Sequence, residues 1–343
     1  MTGPGASKTP FFIVGCSRSG TTLLQALIDS HPHIAIPPES HVYVRFGPIA
    51  ATYGDLSRAR NRRRLIAAFL RDAFIEEWRL GVYVADVEAR VRRPVFAGVA
   101  EALFDIYAEQ HGASRWGDKT PEHIRHLDEI RRDFPGARLI HLVRDGRDVA
   151  EAMRRMIFYP VTAYGVARVW RDEIGHWRRF TDAAGEDGTL VIRYEDLVTS
   201  PESVIAEIFR FLEEPYVDTV TTYAQSSLSR NLDAQGPWHA SLRKGISAAK
   251  VGVWRRVFTP REVEVIESIQ GPELTAYGYA TEYASPRPAS AREKLHALFA
   301  DRLVRWYRKL HHPRVFRQDL QFRWRIAWRR LRHSAVDSPM RSP

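Results

Sequence analysis

The segment Gly15-Cys-Ser-Arg-Ser-Gly-Thr-Thr22 constrains the fold more than any other stretch of the chain. It follows the apolar run Phe11-Phe-Ile-Val14, which is strand length, and precedes Leu23, Leu24, Leu27 and Ile28 at helical spacing. Strand, tight loop and helix in that order open an α/β unit. The Gly-x4-Gly spacing is that of a phosphate-binding loop, in which backbone N–H groups and the positive end of the helix dipole hold an anion. A small-residue turn that merely reverses the chain is the other reading. Position 21, where a nucleotide triphosphatase carries lysine, is threonine, and the cation is Arg18, inside the loop.

The remaining pattern extends the α/β reading. Arg138-Leu-Ile-His-Leu-Val143 reads as a second strand and Thr189-Leu-Val-Ile-Arg193 as a third. Residues 95–99 read either as a fourth strand or as the start of a helix over 100–111. Helical patterns cover 60–79, 121–134, 149–156, 166–181 and 204–212, with proline in the first turn at Pro201. Strands separated by helices imply a three-layer α/β/α, P-loop-like fold around a mostly parallel sheet. A triphosphatase also needs a strand-end aspartate to help hold magnesium. Here the second strand runs into Arg144 and the third into Arg193-Tyr194, which suits a second phosphate rather than a metal.

Charge divides the chain. Its 343 residues carry a net charge of +10, yet 15 Lys/Arg and 4 Asp/Glu lie from Arg287 onward, leaving 36 and 37 in the rest. A near-neutral body with a basic tail argues against specific nucleic-acid binding. The lone Cys16 excludes an internal disulfide framework and a cysteine zinc cage. No window reaches the ~18 apolar residues of a membrane span, and residues 1–10 lack a signal core. A cytoplasmic location is therefore expected. The expected organisation is a disordered 1–10, a domain over 11–284 and a basic helical tail over 285–343, entered through a linker at Ser285–Ser290.

These segments resemble the sulfotransferases that use 3′-phosphoadenosine 5′-phosphosulfate (PAPS). Residues 12–24 are similar to the loop that holds the 5′-phosphosulfate. Residues 139–149, Leu-Ile-His-Leu-Val-Arg-Asp-Gly-Arg-Asp-Val, resemble the 3′-phosphate segment, 193–197 its next strand end, and 250–259 the late loop that closes over the nucleotide. The likeness runs in order over about residues 11–280 and is nearest to bacterial members and to the tyrosylprotein sulfotransferases.

The resemblance implies a PAPS donor, no metal and a set of roles. Arg18, Ser19, Gly20, Thr21 and Thr22 would hold the 5′-phosphosulfate, Arg144 the 3′-phosphate, and Tyr194 the adenosine end. Lys250 and Trp254 would close the site, with Arg243 and Lys244 in reserve. Glu39, in Ile36-Pro-Pro-Glu-Ser-His41, would take the acceptor's proton, or else cap the turn after Pro38. His41 is the alternative base, with His31 and His33 behind it. Lys119, in Trp116-Gly-Asp-Lys-Thr-Pro121, would stabilise the transition state, or else be an exposed turn lysine. The family's serine eight residues past the arginine is Ala152 here, so Arg147, Arg154 or the late basic loop would have to substitute.

Residues 40–115, helical and aromatic, are expected to form the acceptor pocket or its lid. The acceptor expected is a hydroxyl of a carbohydrate, glycolipid or small metabolite. A P-loop kinase and a non-catalytic nucleotide-binding partner protein are the competing readings. The tail carries Trp306, Trp324 and Trp328 among arginines. Such a cationic helix binds an anionic membrane surface, here the inner face, or a partner such as a second copy, or it packs on the body.

Overall fold

The structure, a computed structural model, describes residues 9–219 and 245–311. Its centre is β1 (Phe11–Gly15), flanked by β3 (Arg115–Lys119) and β4 (Arg138–Val143), with β2 (Ile34–Ala35) and β5 (Thr189–Arg193) outside them. All four pairings are parallel, with Phe11 opposite Gly117 on one side and Arg138 on the other. Parallel strands are covered on both faces, which is why β1 is apolar at successive positions. Phe11 and Ile13 enter one core layer with Leu24, Leu27, Ile205 and Phe209, while Phe12 and Val14 enter the other with Leu103, Trp116 and Trp177.

The helices follow in chain order. They are α1 (Thr21–Asp29), α2 (Val42–Arg45), α3 (Ala59–Leu70), α4 (Ala73–Glu76), α5 (Val84–Arg90), α6 (Phe96–Gln110) and α7 (Leu127–Asp133). After β4 come α8 (Gly146–Arg154), α9 (Ala163–Ala184), α10 (Tyr194–Thr199), α11 (Pro201–Leu212), α12 (Trp254–Val257), α13 (Pro260–Ala276) and α14 (Ala291–His311). In such a sheet, ligands bind beyond the carboxyl ends of strands at the point where chain order reverses. Here that point is β1, with β3 and β4 on opposite sides of it.

Several local expectations change. The helix expected over 60–79 breaks after Leu70, because Asp72 caps α4 by accepting from Phe74 N and also takes the Arg45 guanidinium. Residues 95–99 are not a strand: Val95 is the N-cap of α6. The helix expected over 121–134 divides into a 3-10 turn (Pro121–Arg125) and α7. β2 and β3 carry too little apolar sequence to stand out, yet every residue of β3 is buried. Thr9 and Pro10, at the edge of the segment expected to be disordered, are tied in, since Thr9 O accepts from Arg115 Nε and Pro10 O from Arg138 N. The linker at 285–290 is also fixed: Arg287 Nε donates to Glu264 Oε1 (2.8 Å) and Arg261 Nη2 to Pro288 O (3.0 Å).

Candidate active site

The ends of β1, β3, β4 and β5 carry the residues of the site. The loop after β1 closes with Ser19 N donating to Cys16 O, and Gly20 is the N-cap residue of α1, with no side-chain cap. The first-turn amides of a helix have no intrahelical acceptor, so they remain for an anion. Gly20 has φ +99°, and a Cβ there would collide with the Tyr194 ring. Arg18 also has a left-handed backbone, φ +74°. Strain of this kind in a non-glycine residue costs on the order of 1–3 kcal/mol and collects at ligand sites. Among the described residues, Ser19 Oγ and Arg18 Nε are buried with no hydrogen-bond partner.

Lys119, at the end of β3, is 2% exposed. Its ammonium pairs with Glu39 Oε1 and lies 3.4 Å from Thr22 Oγ1. The other Glu39 oxygen, Oε2, is 3.2 Å from His41 Nε2. Enclosure raises the Glu39 carboxyl, but the Lys119 charge and the His41 contact outweigh it and hold it well below the usual carboxylate range. Burial lowers His41, but the hydrogen bond to Glu39 and the charges of Glu122, Glu39 and Asp118 outweigh that and raise it. Glu122 in turn accepts from Ser17 Oγ (3.2 Å), so the chain of contacts returns to the phosphate loop.

The Glu39 segment is held by buried polar groups. Ser40 Oγ donates to Asp118 Oδ2 (2.8 Å), Ser40 N to Thr120 Oγ1 (3.0 Å) and Thr120 Oγ1 to Asp118 Oδ1 (3.0 Å), while His123 Nδ1 lies 2.9 Å from Asp118 Oδ2. These groups were missed from sequence. Asp118 and Thr120 flank a lysine that had been singled out, but Ser40 is 78 residues away from Asp118 and only the register of β3 joins them.

Arg144 follows β4. Its Nη1 donates to Arg18 O (3.1 Å) and its Nη2 to Lys250 O (2.6 Å), while its Nε is buried without a partner among the described residues. The guanidinium lies over the Tyr194 ring, 4.5 Å from its centroid. Burial, then the charges of Arg18 and Arg144, lowers the Lys250 pKa. Three cations this close favour a polyanion between them. Asp148 fixes the late loop by accepting from Gly252 N (2.7 Å) and Trp254 N (3.0 Å).

Not every candidate residue faces the cleft. Trp254 is 1% exposed and packed in the core, with Arg147 4.0 Å and Arg255 4.3 Å from its ring. Its observed role is to anchor the late loop; meeting a nucleotide through its ring would require that loop to shift. Arg147 is bound to Asp145 and Glu267, and Arg154 contacts Glu262 and Phe258. Neither is a ready substitute for the serine replaced at Ala152. His31 contacts Pro215 O, and His33 lies near Glu214. Arg243 and Lys244 lie outside the described residues, as do Trp324 and Trp328. Glu39, His41 and Glu122 place ligand atoms within 4.8 Å of one another, but a metal there would compete with the Lys119 pair.

The profile of the sulfotransferase family matches residues 10–218. Protein-tyrosine sulfotransferase 1 of Danio rerio is 29% identical over 218 residues, covering 61% of this chain and 54% of that protein. The chain thus spans about half the length of that relative. The sulfotransferase domain of the Synechococcus PCC 7002 olefin synthase superposes with a TM-score of 0.56 at 24% identity, covering 80% of this chain and 97% of that domain. The sulfotransferase domain of the curacin biosynthetic pathway gives 0.55 at 20% identity, covering 80% and 100%. Among the described residues, no helix is long and apolar enough to cross a membrane.

Proposed function

This chain belongs to the sulfotransferase family, and from that premise we propose that it moves a sulfuryl group from PAPS to a hydroxyl by in-line displacement. The observation that carries the reading is the meeting of Arg18, Lys119, Arg144 and Glu39 around one phosphate loop. The unpartnered Ser19 Oγ, Arg18 Nε and Arg144 Nε fit a phosphosulfate nucleotide, because each is a buried donor that pays for its desolvation only with an acceptor. The bound nucleotide supplies an activated sulfuryl group. Arg18, the α1 amides, Thr21 and Thr22 bind its 5′ end. Arg144, Lys250 and the Tyr194 ring bind the 3′-phosphate and adenosine end. Lys119 neutralises charge on the leaving oxygen, and Glu39 takes the acceptor's proton.

We propose a metal-independent reaction, since the positive charge comes from side chains already in place. Activity abolished by a chelator and restored by magnesium would overturn that point. The acceptor proposed is a hydroxyl of a carbohydrate, glycolipid or small metabolite. The likeness to protein-tyrosine sulfotransferases favours a second reading, a tyrosine phenol in a protein. Calorimetry with 3′-phosphoadenosine 5′-phosphate against ATP tests the donor, and preference for ATP would favour a kinase. Labelled PAPS offered with glycan, lipid and tyrosyl-peptide acceptors then separates the acceptor classes.

A further inference from the structure

Helix α14 packs through its small and polar side and turns its large apolar side outward. Ala297 is buried against the body. Asp301 accepts from Val161 N (2.8 Å), Thr162 N (3.1 Å) and Thr162 Oγ1 (2.9 Å), and Arg308 donates to Met156 O (2.7 Å) and Tyr159 O (3.0 Å). On the opposite side Leu295, Phe299, Leu303, Trp306 and Leu310 are each more than half exposed, Phe299 reaching 67%. Steps of three and four residues put them on one stripe along the helix. Arg302 borders that stripe, with Lys294 and Arg305 on the flank of the helix beyond it, all exposed.

A contiguous exposed apolar face of this kind marks an interaction surface. Its charge decides the occupant. From His312 to the end the sequence adds eight Lys/Arg against two Asp/Glu, so a second copy would bring two strongly basic regions together. An anionic bilayer receives the apolar stripe and neutralises the cations at once. We propose that the outer face of α14 is a docking surface for an anionic lipid bilayer, with the helix lying in the interfacial plane. The segment that the inner side of α14 grips also supplies Tyr159 to the recess beside Ser17 and Glu122.

Sedimentation with vesicles tests this on the full chain and needs no turnover, so it succeeds or fails independently of the proposed reaction. Vesicles are phosphatidylcholine alone or with roughly one third phosphatidylglycerol. The chain is expected to pellet with the anionic vesicles and not with the neutral ones. Phe299→Glu, Leu303→Glu and Trp306→Glu together should weaken that partition more than about tenfold. Those side chains are exposed, so melting temperature should hold; if it does not, Phe299→Ser with Trp306→Ser gives the milder comparison. Unchanged partition of a folded variant would assign binding to the terminal charges and overturn the proposal. So would failure of the parent chain to pellet, or a dimer lost in the variant without any vesicle binding.

Discussion

The Lys119 ammonium pairs with the Glu39 carboxylate and lies 3.4 Å from Thr22 Oγ1, so one buried cation joins the candidate base to the phosphate loop. Removing the base and removing the cation should therefore fail differently. Glu39→Gln keeps the volume and loses the proton acceptor, and kcat should fall by roughly two to four orders of magnitude. Its affinity for 3′-phosphoadenosine 5′-phosphate should stay within about threefold of the parent, since no nucleotide contact is lost. Lys119→Met should lower kcat by about two to three orders of magnitude. Near-normal turnover of either variant would remove that residue from the chemistry.

His41 sets the pH dependence. Below its raised pKa it is cationic, and Glu39 then stands between two positive charges and is a weak base. As pH climbs through that pKa one cation is lost and Glu39 gains basicity. A rising limb in kcat/KM is thus expected above the ordinary histidine value of 6.5. His41→Asn should remove the limb while leaving turnover at high pH. A parent profile flat from pH 6 to about 9 would contradict the coupling.

Gly20 and Tyr194 form a tight pair. A methyl group at Gly20 meets the Tyr194 ring and also demands a left-handed backbone. Gly20→Ala should weaken nucleotide binding by about tenfold or more, consistent with strain on the order of 1–3 kcal/mol. Adding Tyr194→Ala removes the collision but not the backbone cost, so recovery should be partial at most. Equal affinity of Gly20→Ala and the parent, by calorimetry, would deny the contact its role.

The readable part of this chain was local. β1, β4 and β5 stood out because each is apolar and ends in a marked turn, and the loop between β1 and α1 carried its spacing within eight residues. β3 did not stand out, since Arg115-Trp-Gly-Asp-Lys119 is polar and its burial is offset by partners far away in sequence. Glu39 and Lys119 both stand out, but nothing local joins residues 80 apart; parallel pairing of β2, which leads into Glu39, with β3 does. Trp254 shows the converse limit. Its motif marks a loop that lies against Arg144, but not whether the ring faces the cleft or the core.

Asp148 should control the late loop. It accepts from Gly252 N and Trp254 N at once. Asp148→Ala leaves two amides without that acceptor, at about 1–3 kcal/mol for each that stays buried. The nucleotide should then bind roughly tenfold or more weakly, chiefly through faster release. Stopped-flow release unchanged in the variant would show that the loop does not gate the nucleotide.

His141 should make the fold acid-sensitive. It is fully buried in β4, its ring tilted against Trp177 (centroids 4.6 Å apart) and edge-on to Tyr277 (5.9 Å), and among the described residues neither ring nitrogen has a partner. Burial alone pushes its pKa down from 6.5 to about 3. The unfolded chain therefore takes up a proton that the folded chain refuses as pH falls below 6.5. Stability tied to this group is complete above that value and is lost at about 1.4 kcal/mol per pH unit on the way down. His141→Phe keeps an aromatic ring against Trp177 and carries no titrating group. The fall in urea-unfolding free energy from pH 7 to pH 5 should be smaller in the variant by about 2 kcal/mol. Every other titrating group is common to both proteins, so parallel acid slopes would mean that His141 reaches solvent or a proton acceptor before the fold opens.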